Sequence, residues 1–170
     1  MVQNIWKDGV FGLIVGDALG VPVEFSSRED REHDPVIGMR AYGTHNQPVG
    51  TWSDDSSMTL ATLDSIKQKG KIDYKDIMDK FTEWCLYADY TPFQEVFDIG
   101  VATSRAIIQY GKGTDPIDCG GKTEWDNGNG SLMRILPVCL YLYNRQKMIC
   151  TSENESIYLI HNVSALTHAH

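Results

Sequence analysis

The chain has 170 residues, 15 Lys+Arg against 23 Asp+Glu, and a formal net charge of -8. That length fits one domain, 1–170, and its 42% hydrophobic and 10% aromatic residues can build a core, which excludes wholesale disorder. The acid excess argues against a nucleic-acid partner, which needs Lys and Arg gathered on one face, and suits cations or a small ligand.

The pattern is helical almost throughout. Residues 9–20, GVFGLIVGDALG, are apolar, with Gly9, Gly12, Gly16 and Gly20 at helical spacing. Each glycine weakens an isolated helix by roughly 1 kcal/mol relative to Ala, so a buried helix approached closely by a neighbour is expected. Residues 26–53 read as a polar loop, charged from Arg28 to Asp34 and then broken by Pro35, Gly38, Gly43, Pro48 and Gly50. Ser53 as N-cap and Gly70 as stop bound a helix from Asp54 to Lys69. From Tyr74 to Ala88, residues Ile77, Met78, Phe81, Trp84 and Cys85 share one stripe. A further helix is expected from Val96 to Tyr110, with Phe97, Val101 and Ile108 on one face. Residues 111–130 are a glycine-rich loop. Leu132–Tyr143 is an apolar helix that tolerates Pro137 only at a kink or near its start. Residues 155–168 put Leu159, Ile160, Val163 and Leu166 on one face. About six helices and no convincing strand predict an all-α fold.

No apolar run approaches the roughly 20 residues that span a bilayer, and Met1-Val2-Gln3-Asn4-Ile5-Trp6-Lys7-Asp8 lacks a secretory leader pattern. Cys85, Cys119, Cys139 and Cys150 contain no Cys-x-x-Cys. His33, His45, His161, His168 and His170 do not complement them at zinc-ligand spacing. Three of the cysteines read as small core residues. A cytoplasmic protein with no membrane partner is expected.

Four stretches can carry chemistry. In Gly50-Thr51-Trp52-Ser53-Asp54-Asp55-Ser56-Ser57-Met58, two carboxylates among hydroxyls open a helix. Hard cations prefer such oxygen ligands. Successive helical residues diverge by about 100°, so Asp54 and Asp55 either bridge two ions or divide the work of holding metal and orienting water. The alternative is that they complement the helix dipole beside the Ser53 cap. Asp17 interrupts an apolar helix, and Glu24 follows Pro22 just past its end. Asp17 is therefore paired, metal-bound or shifted in pKa, or else satisfied by backbone amides or an Arg. Asp126-Asn127-Gly128-Asn129-Gly130-Ser131-Leu132-Met133-Arg134 runs from a glycine-rich loop into a helix start. That is either an anion cradle or a flexible loop with a cap. His168 and His170 lie two apart near the end and share no helical face. Tyr90-Thr91-Pro92 with Phe97-Asp98-Ile99-Gly100 reads as architecture rather than chemistry.

In order, GDALGVPVEF, GTWSDDSSM, YTP with FDIG, GNGSLMRILPV and SALTHAH resemble the ADP-ribosylglycohydrolase family, of the dinitrogenase-reductase-activating glycohydrolase kind. The resemblance implies an orthogonal multi-helix bundle. It also implies a two-ion Mg²⁺ site that hydrolyses the bond joining ADP-ribose to a protein side chain or small acceptor. By position it makes Ser53, Asp54 and Asp55 metal ligands and Glu24 an acid at the entrance near the reacting ribose. It places Asn129, Gly130 and Ser131 in the ligand loop and His168 in the ligand pocket. In this chemistry Asp55 takes a proton as water attacks the anomeric carbon, through an oxocarbenium-like transition state. The family's later Asp-Thr-Asp ligands have no counterpart, because the sequence has no Asp-x-Asp. The resemblance therefore covers the first portion of the family fold. Weak metal binding and little turnover by this chain alone are expected, along with an exposed apolar surface inviting self-association. A non-catalytic ADP-ribose binder and a structural relative are the alternatives.

Overall fold

The computed structural model describes residues 4–148 and 153–170, so Met1–Gln3 and Cys150 lie outside the described residues. Among the described residues seven α-helices follow one another: α1 Ile5–Gly20, α2 Arg28–His33, α3 Asp54–Lys69, α4 Tyr74–Tyr87, α5 Val101–Gly111, α6 Leu136–Met148 and α7 Glu153–Ala165. Among the described residues there is no strand, only isolated bridges between Tyr42 and Gln47 and between Gly121 and His168. The fold is all-α.

Local chemistry sets several boundaries. The Asn4 side chain accepts from the Lys7 amide and starts α1 earlier than its apolar run. Ser53 caps α3 by accepting from the Asp55 amide, and Gly70 ends it in the left-handed region at φ 66°. Asp73 caps α4 in the same manner.

α3 lies at the centre, packed against α1, α4 and α6. Its buried face is largely hydroxylic: Ser56, Ser57, Thr59, Thr62 and Ser65 accompany Met58, Ala61 and Ile66. Several of these hydroxyls are satisfied by carbonyls. Ser57 donates to Ser53 O and Thr62 to Met58 O at 2.8 Å, and Thr59 donates to Met133 O at 3.1 Å. Small satisfied side chains let neighbours come close to α3. The surrounding core is Ile77, Met78, Phe81 and Trp84 of α4, Ala106 and Ile107 of α5, Val138 and Leu142 of α6, and Val163 and Leu166 at the end of the chain.

Four expectations are corrected. The loop expected at 26–53 contains α2, a helix of six residues closed by a Ser27/Asp30 capping box. The helix expected from Val96 begins at Val101. Asp98 takes a left-handed φ of 57° and Gly100 becomes the N-cap, so Phe97 packs on His45 with ring centroids 5.2 Å apart. Within α5 the inward residues are Thr103, Ala106 and Ile107, while Val101 and Ile108 are exposed. The segment expected as one helix from Leu132 is a 3-10 turn, Leu132–Arg134, followed by α6, with Pro137 in the first turn. Finally, α1 is not buried: only Val10 and Ala18 are, and a Cβ at Gly12, Gly16 or Gly20 would meet nothing within 4 Å.

Candidate active site

The sequence places an acid inside the greasy α1, and the fold satisfies it with a helix start. Asp17 accepts from the amides of Ser53 and Ser56 at 3.0 Å, from Ser53 Oγ at 2.8 Å and from Ser56 Oγ at 2.6 Å. The first turn of α3 is thereby tied to α1. Of the readings open for Asp17, the structure shows satisfaction by amides, with two hydroxyls added.

Asp54 and Asp55 lie in that same turn without such partners. Asp54 is 5% exposed. The charges that act on it, Asp55, Asp98 and Asp17, are all negative, so burial first and repulsion second push its pKa up to about 8. Asp55 is half-buried and is pushed up to about 6 by burial, Asp17, Glu24 and Asp98. Among the described residues no basic side chain pairs with Asp54 or Asp55, and an oxygen donor set under mutual repulsion has the chemistry that suits a hard divalent cation.

Glu24 stands at the rim. Its carboxylate meets His45 Nε2 at 2.7 Å, and Asp98 lies 4.0 Å from the same nitrogen. Burial raises the Glu24 pKa against the opposing hydrogen bond from His45. The ligand atoms of Glu24, His45 and Asp98 lie within 4.8 Å of one another, close enough to share an ion. Gly43 brings His45 here. At φ +67° it packs so tightly that a Cβ would collide with the Pro22 carbonyl. Neither His45 nor Asp98 was singled out by the sequence reading, which took the FDIG stretch as architecture. Their signal is tertiary: two distant loops, with left-handed residues at Phe25, Asn46 and Asp98.

Asp55 borders two cavities. One, of about 390 Å³, is lined by Gly16, Gly20, Glu24 and Ser53 among others. The other, of about 480 Å³, is lined by Leu13, Asn129, Gly130 and Met133 among others. The loop thus faces Asp55 through Asn129 and Gly130. It leads into the Leu132–Arg134 turn rather than directly into an α-helix, and the Leu132 amide is already bonded to Asn129 O. The expected cradle at a helix N-terminus is therefore one turn removed.

Ser131 closes that loop, and His168 lies behind it. Ser131 Oγ shares a hydrogen bond of 2.7 Å with Ser164 Oγ. The His168 ring lies against Gly130, where an added Cβ would be 3.0 Å from Cε1, and its Nδ1 is 2.7 Å from Thr167 Oγ1. Burial, then the charge of Arg134, lowers the His168 pKa. Arg134 is fully buried. It donates to Val163 O and Thr167 Oγ1, stacks 4.9 Å from the Phe81 ring centre, and leaves Nε without a partner. It ties the loop to the end of the chain.

The sequence model of ADP-ribosylglycohydrolase matches residues 4–170. An ADP-ribosylarginine hydrolase of Pseudomonas putida (strain GB-1) is 32% identical over 165 residues, covering 95% of this chain and 41% of that protein. The ADP-ribosyl-[dinitrogen reductase] glycohydrolase of Rhodospirillum rubrum is 33% identical over 141 residues, 76% of this chain and 42% of that one. A solved chain titled as an ADP-ribosylglycohydrolase-related protein complex superimposes with a TM-score of 0.70 at 33% identity, over 94% of this chain and 47% of its own. The chain therefore spans about half the length of such relatives. With the family sequence matched along nearly its whole length and the helical fold shared, this chain belongs to the ADP-ribosylglycohydrolase family.

Proposed function

We propose that residues 1–170 form one domain carrying the acid centre and ligand loop of a cytoplasmic hydrolase that cleaves the glycosidic bond between ADP-ribose and a protein side chain. The carrying observation is the position of Asp55, which borders one cavity with Glu24 and Ser53 and another with Asn129 and Gly130. Relatives named for ADP-ribosylarginine and for dinitrogen reductase make a modified protein arginine the first acceptor to test. Among the described residues no helix is long and apolar enough to cross a membrane.

Ser53, Asp54 and Asp55 would hold Mg²⁺, and a cation bound there supplies Lewis acidity and lowers the pKa of water beside it. Asp55 accepts the proton of the attacking water on a carboxylate oxygen. Glu24, held by His45, lines the approach to the anomeric carbon. Asn129, Gly130 and Ser131 form the loop that cradles the ligand, and His168 of the ligand pocket packs against Gly130.

The donor set offered here is one side of a two-ion site, since no Asp-x-Asp occurs in the chain. The test is twofold: calorimetric titration with ADP-ribose in millimolar-range Mg²⁺, and release of ADP-ribose from a modified-arginine peptide. Mg²⁺-dependent binding lost in Asp55→Asn, with release far below ordinary enzyme rates of order 1 to 10³ per second, is expected. Binding indifferent to both Mg²⁺ and Asp55 supports the non-catalytic binder instead, and no binding at all refutes the assignment.

A further inference from the structure

A buried cation that the site does not use meets the Tyr90-Thr91-Pro92 stretch. Lys80 of α4 is 7% exposed. Its ammonium donates to Asp64 Oδ2 of α3 at 2.8 Å, and the Tyr90 hydroxyl donates to the same oxygen at 2.9 Å. Burial opposes the charge on Lys80, yet Asp64 and Tyr90 hold its pKa above the ordinary value. Tyr90 makes a second connection through its backbone: its carbonyl accepts from Trp52 Nε1 at 3.0 Å. Trp52 stands two residues before Asp54. Asp17 holds Ser53 and Ser56 from α1, so the Trp52 bond gives the start of α3 a second tie. Tyr90 makes it from the left-handed region, at φ 65°. Tyrosine seldom adopts such a backbone, which persists where its surroundings over-determine it.

Replacing a buried ion pair by apolar residues is often neutral for stability, so stability does not account for Lys80 and Asp64. Direction does. Beyond Tyr90, residues 91–100 contain no helix. Val96 and Ile99 rest on the core, and Phe97 packs on His45. Apolar contacts are non-directional, so they hold that segment down without fixing where Asp98 lies along it. Hydrogen bonds to an ionised carboxylate do fix direction. We propose that Tyr90 is a positioning residue: pinned by Lys80 and Asp64, it orients Trp52 at the entry to α3 and sets the register of the segment that carries Asp98. Both arms lead to the acid centre. Asp54 and Asp55 follow Trp52, and Asp98 lies 4.0 Å from His45. Treating that centre as catalytic rests on the function proposed above; the positioning does not.

The test is Tyr90→Phe in the 170-residue chain, followed by NMR. The change deletes the hydroxyl and leaves the ring and the carbonyl. The Trp52 indole hydrogen is expected to exchange with solvent at least about tenfold faster. Nuclear Overhauser contacts between the Phe97 and His45 rings are expected to weaken. Neither group bonds to the deleted oxygen. Lys80→Met combined with Asp64→Leu should give the same two changes, while the amides of Ile77 and Phe81 in α4 keep the parent's protection. Parent-like Trp52 exchange or parent-like ring contacts in Tyr90→Phe overturn the proposal. So does loss of the α4 protection along with them, because the network then holds up the whole fold. Calorimetric titration with ADP-ribose in millimolar-range Mg²⁺ adds a second readout. Affinity at least about tenfold weaker in Tyr90→Phe is expected, and equal affinity overturns the proposal. A parent that binds no ADP-ribose counts against the functional reading alone, and the NMR readout still decides the role of Tyr90.

Discussion

Asp17→Asn tests whether the acid in α1 anchors the site. The carboxylate accepts three bonds on Oδ2, from Ser53 N and Ser56 N at 3.0 Å and Ser56 Oγ at 2.6 Å, and on Oδ1 it accepts from Ser53 Oγ at 2.8 Å and shares the Ser53 amide at 3.2 Å. An Asn can keep its carbonyl oxygen at the Oδ2 position, so three bonds survive without their charge. A hydrogen bond to a charged group contributes about 1 kcal/mol more than a neutral one, so the variant loses about 3 kcal/mol. One offset depends on pH, because removing a negative charge relieves repulsion on Asp54 and Asp55. Their pKa values of about 8 and about 6 leave both largely neutral at pH 5, where no relief is available. At pH 8 Asp55 is charged and Asp54 is half charged, so the relief is felt. Asp17→Asn is therefore expected to cost about 3 kcal/mol at pH 5 and less at pH 8 in metal-free protein. Urea unfolding followed by circular dichroism reads this as a midpoint lowered by about 1.5 M at pH 5, for a slope of about 2 kcal/mol/M. A loss below about 1 kcal/mol at pH 5, or a larger loss at pH 8 than at pH 5, refutes the reasoning.

The raised pKa values of Asp54 and Asp55 give stability that is complete below their unfolded pKa, near 4, and is lost as pH climbs through about 6 and about 8. Metal-free Asp54→Asn should therefore show a flatter fall in unfolding free energy between pH 5 and 8 than the parent, and millimolar-range Mg²⁺ should raise the parent's melting temperature more at pH 8 than at pH 5. Gly130→Ala puts a methyl 3.0 Å from His168 Cε1 and 3.1 Å from Nε2; it should cost about 1 kcal/mol of stability and weaken ADP-ribose binding at least about tenfold by calorimetry. Arg134→Met, which removes a buried charge with no carboxylate partner, should stay within about 2 kcal/mol of the parent in urea unfolding, whereas Arg134→Ala should cost about 3–5 kcal/mol through the cavity it leaves.

Some of this was legible in the sequence because the signal is local. Ser53 and Gly70 bracket α3, and Ile77, Phe81 and Trp84 mark the inward face of α4, since caps and apolar period act within one helix. α2 escaped because five charged residues and a histidine carry no apolar period, although Ser27 and Asp30 hold its capping box. The start of α5 was misread because the apolar pattern continues through Phe97, while the backbone turns left-handed at Asp98. The same limit applies at the site. Ser53, Asp54, Asp55 and Glu24 stand beside recognisable neighbours, but His45 and Asp98 meet Glu24 only through packing of two loops, which no spacing reveals. Nor does composition show which side of α1 stays open. A glycine stripe reads identically whether a helix covers it or not.

The geometry also bears on the two readings of the paired acids. Acids in a first turn favour their helix by about 0.3–1 kcal/mol, and that interaction lowers a carboxylate pKa. Asp54 moves the other way, from 3.8 up to about 8, which weighs against its charged form by on the order of 5 kcal/mol. A dipole contribution of that size cannot explain an acid kept where burial and three like charges oppose it. The helix start does not need it either: Ser53 caps the Asp55 amide, and Asp17 takes the Ser53 and Ser56 amides from outside the helix. With the capping role filled, Asp54 and Asp55 stabilise nothing by being ionised. Under the function proposed above, a divalent cation held by oxygen ligands would supply the positive charge that offsets this repulsion.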